Sequence, residues 1–157
     1  MSDLDAAVAG ALSNKDGLFD IVSKFHCIAR FSLTGELLEA NQNFLDVLGY
    51  TLDEIIGVNH RTFLVDPKTK DPQYANMWPS FADGQAKSGE VLRRTKTGQI
   101  VWLQSVYCPM RNANGQVDTV LKLAVLKPPE LTDDGVNVPL NLISEGVTSA
   151  NALLAPA

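Results

Sequence analysis

The side chains that could carry chemistry in this chain are few, and most of them stand apart from one another. The only histidines are His26 and His60, and the only cysteines are Cys27 and Cys108. Their spacing matches neither the paired ligands of a zinc site nor those of a non-haem iron site. One histidine is nonetheless enough to bind haem iron when its second ring nitrogen is held by a hydrogen bond. A lone histidine can equally be a structural residue that hydrogen-bonds to backbone.

Other kinds of chemistry find little support in the sequence. A nucleophile elbow, a paired-carboxylate motif and a phosphate-cradling glycine loop are all missing, so we expect a binding module rather than an enzyme. The net charge of −5 disfavours nucleic acid as a partner. No stretch approaches the roughly 20 apolar residues that cross a bilayer, and no basic leader precedes an apolar run. We therefore predict a cytoplasmic protein without membrane insertion, whose two cysteines are buried thiols.

Two short helices are predicted immediately before His60. Asn41 is a good N-cap for the first helix, which Gly49 ends. Thr51 and Glu54 form the pattern of a capping box for the second, with Ile55 and Ile56 as apolar anchors and Gly57 as the end. These helices would place His60 at the mouth of a small sheet domain.

The remaining elements predict a mixed α+β fold. An amphipathic helix, interrupted near Asn14 and Gly17, covers residues 4–25, and a hairpin follows with strands at 27–32 and 37–40. After an irregular connector at 62–70 comes a helix within residues 73–87, which Gly84 ends and Pro79 could kink or break. A meander of strands at 89–96, 100–110 and 116–126 follows. We expect a helical cap at 1–24, one domain at 25–127 and a tail or linker at 128–157.

A set of residues along this domain matches a known family in type and spacing. The set comprises Gly35, Ala40, Asn41, Phe44, Gly49, Tyr50, Thr51, Glu54, Ile55, Gly57, His60, Arg61, Tyr74, Trp78, Gly84, Ser88, Gly89, Lys96, Thr97, Gly98, Trp102, Pro109, Lys122, Leu123 and Ala124. From about Phe25 to Ala124 the chain resembles a PAS sensor domain. More narrowly, it looks like the PAS domains at the front of bacterial methyl-accepting chemotaxis and aerotaxis receptors.

The resemblance implies a five-stranded antiparallel sheet in the order 2-1-5-4-3, with short helices on one face and a ligand cavity between. It places His60 where haem-binding relatives carry the axial ligand of haem b, so oxygen, another diatomic gas or redox state would be the signal. FAD or a small ligand is the alternative, although Lys87 stands where FAD-binding relatives commonly have tryptophan. A cofactor-free interaction module is the third. The implied output is a chemoreceptor or a kinase.

Strand alternation suggests the lining of the cavity. On the fourth strand it places Leu103, Ser105 and Tyr107 toward the helices and Trp102 on the opposite face. On the last strand it places Lys122 and Ala124 on one face. Lys122 would there either neutralise a carboxylate, such as a haem propionate, or cover apolar surface with its stem. Together with His60, these residues form the predicted cofactor site.

Apolar residues on two other surfaces have different predicted roles. We interpret the stripe of Tyr74, Met77, Trp78 and Phe81 as helix core rather than as a ligand cage. The N-terminal helix and the outer sheet face are predicted to form a homodimer, with Leu18, Ile21 and Val22 packing on Trp102 and Leu123. The helix could equally fold back within one monomer.

Overall fold

The computed structural model of the chain describes residues 2–6, 10, 14–127, 130–132 and 135–137. Its helices are α1 (Lys15–Phe25), α2 (Gln42–Leu48), α3 (Leu52–Ile55), a 3₁₀ helix (His60–Phe63) and α4 (Pro72–Ala82). Its strands are β1 (Cys27–Ser32), β2 (Leu37–Ala40), β3 (Lys87–Arg94), β4 (Ile100–Arg111), β5 (Val117–Leu126), β6 (Glu130–Thr132) and β7 (Gly135–Asn137). Only the short β6–β7 hairpin is described from the predicted tail, of which the rest lies outside the described residues.

Five antiparallel strands form the central sheet in the order β2-β1-β5-β4-β3, which confirms the predicted topology. The first and last strands of the domain pair in its middle, with Phe31 of β1 opposite Val120 of β5. On the other side of β5, Tyr107 of β4 lies opposite Lys122. Because directly opposite residues share a face, this register decides which side chains meet under the helices.

The short helices α2 and α3 begin and end as their sequences predict. The Asn41 side chain accepts the backbone N–H of Phe44, and Gly49 ends α2 in the left-handed conformation at φ 80°. The capping box of Thr51 and Glu54 is present at the start of α3. Of the two predicted apolar anchors, Ile55 is buried, whereas Ile56 is exposed.

Helix α4 ends at Ala82, just before Gly84, which marks the predicted end and takes a positive φ of 86°. The two boundaries predicted for the third strand were wrong. Lys87 belongs to β3, which begins two residues earlier than predicted and ends at Arg94. Helix α4 also continues through Pro79 without a break.

The main core lies between the helices and the inner face of the sheet. Trp102 lies outside it, as predicted, but its contacts are with Leu92 and Val65 and with the Lys127 ammonium, 3.9 Å from its ring centroid. Cys27 is buried, whereas Cys108 is exposed on the outer face, contrary to the prediction. In the part of the chain that is described, no helix is long and apolar enough to cross a membrane.

Candidate functional site

His60 lies at the centre of the domain rather than at its mouth. The Asn59 side chain caps the 3₁₀ helix, and the backbone N–H of His60 donates to the carbonyl of Gly35 at 2.8 Å. This bond fastens the start of the helix to the β1–β2 turn. The His60 side chain is fully buried, at 0% exposure.

Both ring nitrogens of His60 have side-chain partners. Nδ1 is 2.9 Å from the hydroxyl of Tyr74 on α4, and Nε2 is 2.9 Å from the hydroxyl of Tyr107 on β4. The rings of Phe31, Phe63 and Trp78 surround the imidazole edge-on, with centroids between 5.3 and 6.4 Å away. His60 thus bridges the helical layer and the sheet through hydroxyl groups, not through the backbone bond that was the structural alternative.

Three polar side chains surround the Tyr107 side chain. Besides His60, the guanidinium of Arg93 donates to it at 3.3 Å, and the Lys122 ammonium lies 5.1 Å from the ring centroid. Both cations are buried, Arg93 at 0% and Lys122 at 2% exposure. Neither forms an ion pair with a carboxylate among the described residues, in which the ion pairs lie at the surface.

The pKa values of His60, Tyr107 and Lys122 are all lowered in this environment. Burial, reinforced by the charges of Arg93 and Lys122, holds the pKa of His60 well below its usual value, so the imidazole is neutral. Burial would raise the pKa of Tyr107, but the charges and hydrogen bonds of Lys122 and Arg93 outweigh it and lower that pKa. Burial lowers the pKa of Lys122. The two cations therefore favour the ionised form of Tyr107 more than burial alone would allow.

The site fits haem poorly. An axial histidine needs one free nitrogen aimed at an open position for iron, and both nitrogens of His60 are 2.9 Å from hydroxyl oxygens. Edge-to-face rings enclose the imidazole where a porphyrin would have to lie. Iron ligation by His60 would require Tyr74 or Tyr107 to leave. Among the described residues, no group of His, Cys, Asp or Glu could hold a metal ion.

The structure brings together the side chains that alternation predicted on the helix side of the sheet. Leu103, Ser105 and Tyr107 of β4 and Lys122 and Ala124 of β5 are all buried on this face. Whether they hold a ligand stays a prediction. Ser105 Oγ is buried without a hydrogen-bond partner.

Sequence reasoning missed two members of the network. Arg93 is not among the predicted site residues, although alternation from Val91 puts it on the inner face. Tyr74 was read as helix core, and its hydroxyl role could not be seen because it depends on where the 3₁₀ helix places His60. The sequence signal that could have identified Arg93 is its position two residues after Val91 on the same strand, which puts both on one face.

A groove separates α1 from the outer face of the sheet. The Asn41 amide donates to the carbonyls of Ser23 and His26, and the Asn43 amide donates to those of Ser23 and Lys24. These bonds fasten the end of α1 to the start of α2. The groove is lined by Phe19, Ser23, Ile28, Ala29, Arg30, Glu39, Ala40, Asn41 and Leu121. Helix α1 leaves Phe19 59% and Phe25 71% exposed, and it does not cover Trp102 in this chain.

Comparison with known proteins places this geometry in a family. A model of the PAS fold matches residues 37–124. Biofilm dispersion protein BdlA of Pseudomonas aeruginosa is 36% identical over 123 residues, which are 78% of this chain and 29% of that protein. The aerotaxis receptor of Escherichia coli is 33% identical over 78 residues, 50% of this chain and 15% of the receptor. The chain spans less than a third of the length of either relative.

Solved structures share the fold. A light-oxygen-voltage domain studied with a flavin analogue superposes with a TM-score of 0.60 at 19% identity, covering 77% of this chain and 88% of that one. The PAS-B domain of Drosophila melanogaster Cycle, with bound glycerol, gives 0.53 at 20% identity and covers 64% and 99%. At such identities the likeness concerns the fold alone.

Proposed function

We propose that this chain, which belongs to the PAS family, is a cytoplasmic sensory module. A small molecule bound in the core would change the conformation of the sheet, and α1 would pass this change to a signalling partner. The observation that carries the proposal is the buried contact of His60 with Tyr74 and Tyr107. It joins the helical layer to the sheet through groups whose hydrogen bonds a ligand can replace. The proposed role is binding and signal transfer rather than catalysis.

A path of contacts leads from this network toward α1. Lys122 faces Tyr107 on the inner side of β5, while its neighbour Leu121 lines the groove on the outer side. A displacement of β5 would therefore move side chains on both faces of the sheet. Because a ligand shifts an equilibrium only by its difference in affinity for two states, the two states must differ in the contacts of Tyr107 or Lys122.

The identity of the sensed molecule separates three alternatives. Haem b was predicted from the position of His60. Its binding would require His60 to give up its hydrogen bond to one of the two tyrosines and to ligate iron through the nitrogen that is freed. FAD is supported by the flavin work on a structural neighbour, although Lys87 and the aromatic packing around His60 weigh against it. We favour a colourless small ligand. An absorption spectrum of protein purified from haem- and flavin-sufficient cells decides this, because a Soret band lost in His60→Ala, or bound flavin bands, would overturn our choice.

The partner is proposed to be a chemoreceptor or a kinase, since an aerotaxis receptor and a blue-light-activated histidine kinase are among the relatives. A homodimer through α1 and the outer sheet face would pass on the signal. The proposal is tested by fusing the full chain ahead of a histidine kinase module and measuring autophosphorylation. We expect Tyr107→Phe to change the rate several-fold and Tyr50→Phe to leave it unchanged. Equal rates in all three fusions would overturn the sensory role.

A further inference from the structure

The inner face of the sheet holds more positive charge than its own residues neutralise. Arg93 and Lys122 are both buried against Tyr107: the Arg93 guanidinium donates to its hydroxyl, and the Lys122 ammonium lies 5.1 Å from its ring centroid. A guanidinium is charged at any ordinary pH, and an unpaired charge in a protein interior is costly. A core that needed only stability would carry apolar residues at these positions. The surplus charge points to an anion from outside the chain.

Two polar atoms at this place also have no partner among the described residues. Arg93 donates through one terminal nitrogen to the carbonyl of Leu92 at 2.7 Å and through the other to Tyr107, while its Nε is buried without such a partner. The same holds for Ser105 Oγ. Buried donors of this kind are rare in native structures, because leaving one unpaired costs the whole desolvation of the group. Both are donors that an anionic oxygen would satisfy.

The register of the strands brings these groups to one region. Arg93 lies opposite Val101, yet its guanidinium reaches the hydroxyl of Tyr107, which is further along β4 beyond Ser105. The two side chains therefore meet over the part of the sheet that carries Ser105. Across the sheet, Ser105 is flanked by Gly89 and Ala124, so this row contributes little side-chain volume.

This cluster selects for one chemical class of ligand. Resting on the proposed sensory function, we propose that the inner sheet face binds a small organic carboxylate through Arg93, Lys122 and Ser105. A guanidinium holds a carboxylate in a planar, two-bond geometry, an ammonium adds a point charge, and a serine hydroxyl donates a further hydrogen bond. The apolar remainder of the ligand would face the aromatic side chains of the main core.

Binding of the carboxylate would also act on the His60 bridge. The carboxylate would take the place of the Tyr107 hydroxyl as acceptor for the Arg93 guanidinium, which donates to that hydroxyl at 3.3 Å. The same hydroxyl lies 2.9 Å from Nε2 of His60, whose Nδ1 is 2.9 Å from Tyr74 on α4. Movement of Tyr107 would therefore change the link between the helical layer and β4, which is the change that the proposed sensor needs.

The test measures binding of carboxylates to the full chain by calorimetry and by thermal shift. The probes are acetate, succinate and benzoate, each with its primary amide as a neutral match, at concentrations up to about 10 mM, because a millimolar Kd corresponds to only about 4 kcal/mol. We expect at least one acid to bind and its amide to bind at least about tenfold more weakly. No binding of any acid, or equal binding of acid and amide, would overturn the carboxylate site.

Variants then assign the site to its residues. Arg93→Met and Lys122→Met should each weaken binding of that acid about tenfold or more, whereas Arg94→Met removes a neighbouring charge on the outer face and should not. Each of the first two removes a buried charge, so folding is expected to survive, and Lys122→Arg should retain binding. Equal loss in Arg94→Met would overturn the assignment. Failure of the sensory role would instead appear as carboxylate binding with unchanged kinase activity in the fusion.

Discussion

The two faces of the central sheet treat their side chains in opposite ways. On the face toward the helices, β3 buries Arg93 completely and β5 leaves Lys122 only 2% exposed. On the other face, Val106 of β4 is 40% exposed and Val125 of β5 is 41% exposed. A half-buried antiparallel sheet ordinarily buries its valines and exposes its charges. The inner face also buries Val91 and Val120, so the departures from this rule are the buried cations on one face and the exposed valines on the other. They suit a sheet with one face for a charged ligand and the other for an apolar partner.

The largest difference between the two faces should appear when core volume is removed. Phe31 is fully buried on the inner face and packs edge-on against His60 and Trp78, with centroids at 5.3 and 5.8 Å. We expect Phe31→Ala to lower the free energy of unfolding by about 3–5 kcal/mol, measured by urea denaturation. Val106→Ala on the outer face should cost less than about 1 kcal/mol. Similar losses in the two variants would contradict the assignment of the faces.

The next largest effect should come from a single hydroxyl on the inner face. Tyr107→Phe removes the hydroxyl that Arg93 and Nε2 of His60 share, and we expect a loss of about 1–3 kcal/mol in unfolding free energy. Tyr50→Phe is the matched control, because Tyr50 contacts Phe63 through its ring. A Tyr107→Phe variant as stable as the control would show that the network contributes nothing.

The inner face should also make stability depend on pH. The pKa of His60 is depressed by burial and by nearby cations, so the unfolded chain binds a proton that the folded chain excludes. Stability is therefore full above about pH 6.5 and falls as the pH drops below it, by up to about 1.4 kcal/mol per pH unit. Denaturation at several pH values should show this slope in wild type and in His26→Gln, and a reduced slope in His60→Gln. An unchanged slope in His60→Gln would assign it to other groups.

The smallest effect on monomer stability is expected on the outer face, where association is the sensitive readout. Val106→Asp places a charge on the proposed dimer surface, while Phe19 and Phe25 of α1 remain exposed. Sedimentation should show a weaker dimer for this variant and for a chain lacking residues 1–24, with unfolding free energy changed by less than about 1 kcal/mol for Val106→Asp. Unchanged mass in both would rule out this surface as the dimer contact.

The fold could be predicted almost completely, because local signals agree with it. Asn41, Gly49 and the Thr51–Glu54 box begin and end helices through contacts within a few residues. The alternating pattern of β4 gave the correct face for Tyr107 and Trp102. The start of β3 was wrong because Lys87 and Ser88 are not strand-favouring residues, and they join the sheet through pairing with Tyr107 and Val106 of β4.

The site was harder to predict, because its contacts are long-range. The histidine was identified, but the partners of its two nitrogens lie 14 and 47 residues away in sequence. Family likeness suggested an iron ligand, whereas the packing fills the position that iron would need. Arg93 escaped notice because a basic pair at a strand end is usually solvated, and only the register shows which of its two members is inside.

The most direct test of coupling between the two faces is hydrogen–deuterium exchange in wild type and Tyr107→Phe at the same pH. Tyr107 touches the core from β4, and α1 lies across the sheet from it. We expect the variant to exchange faster not only in the 3₁₀ helix and β4 but also in β1 and α1. Faster exchange confined to β4 and its inner-face contacts, with α1 unchanged, would contradict transmission through the sheet.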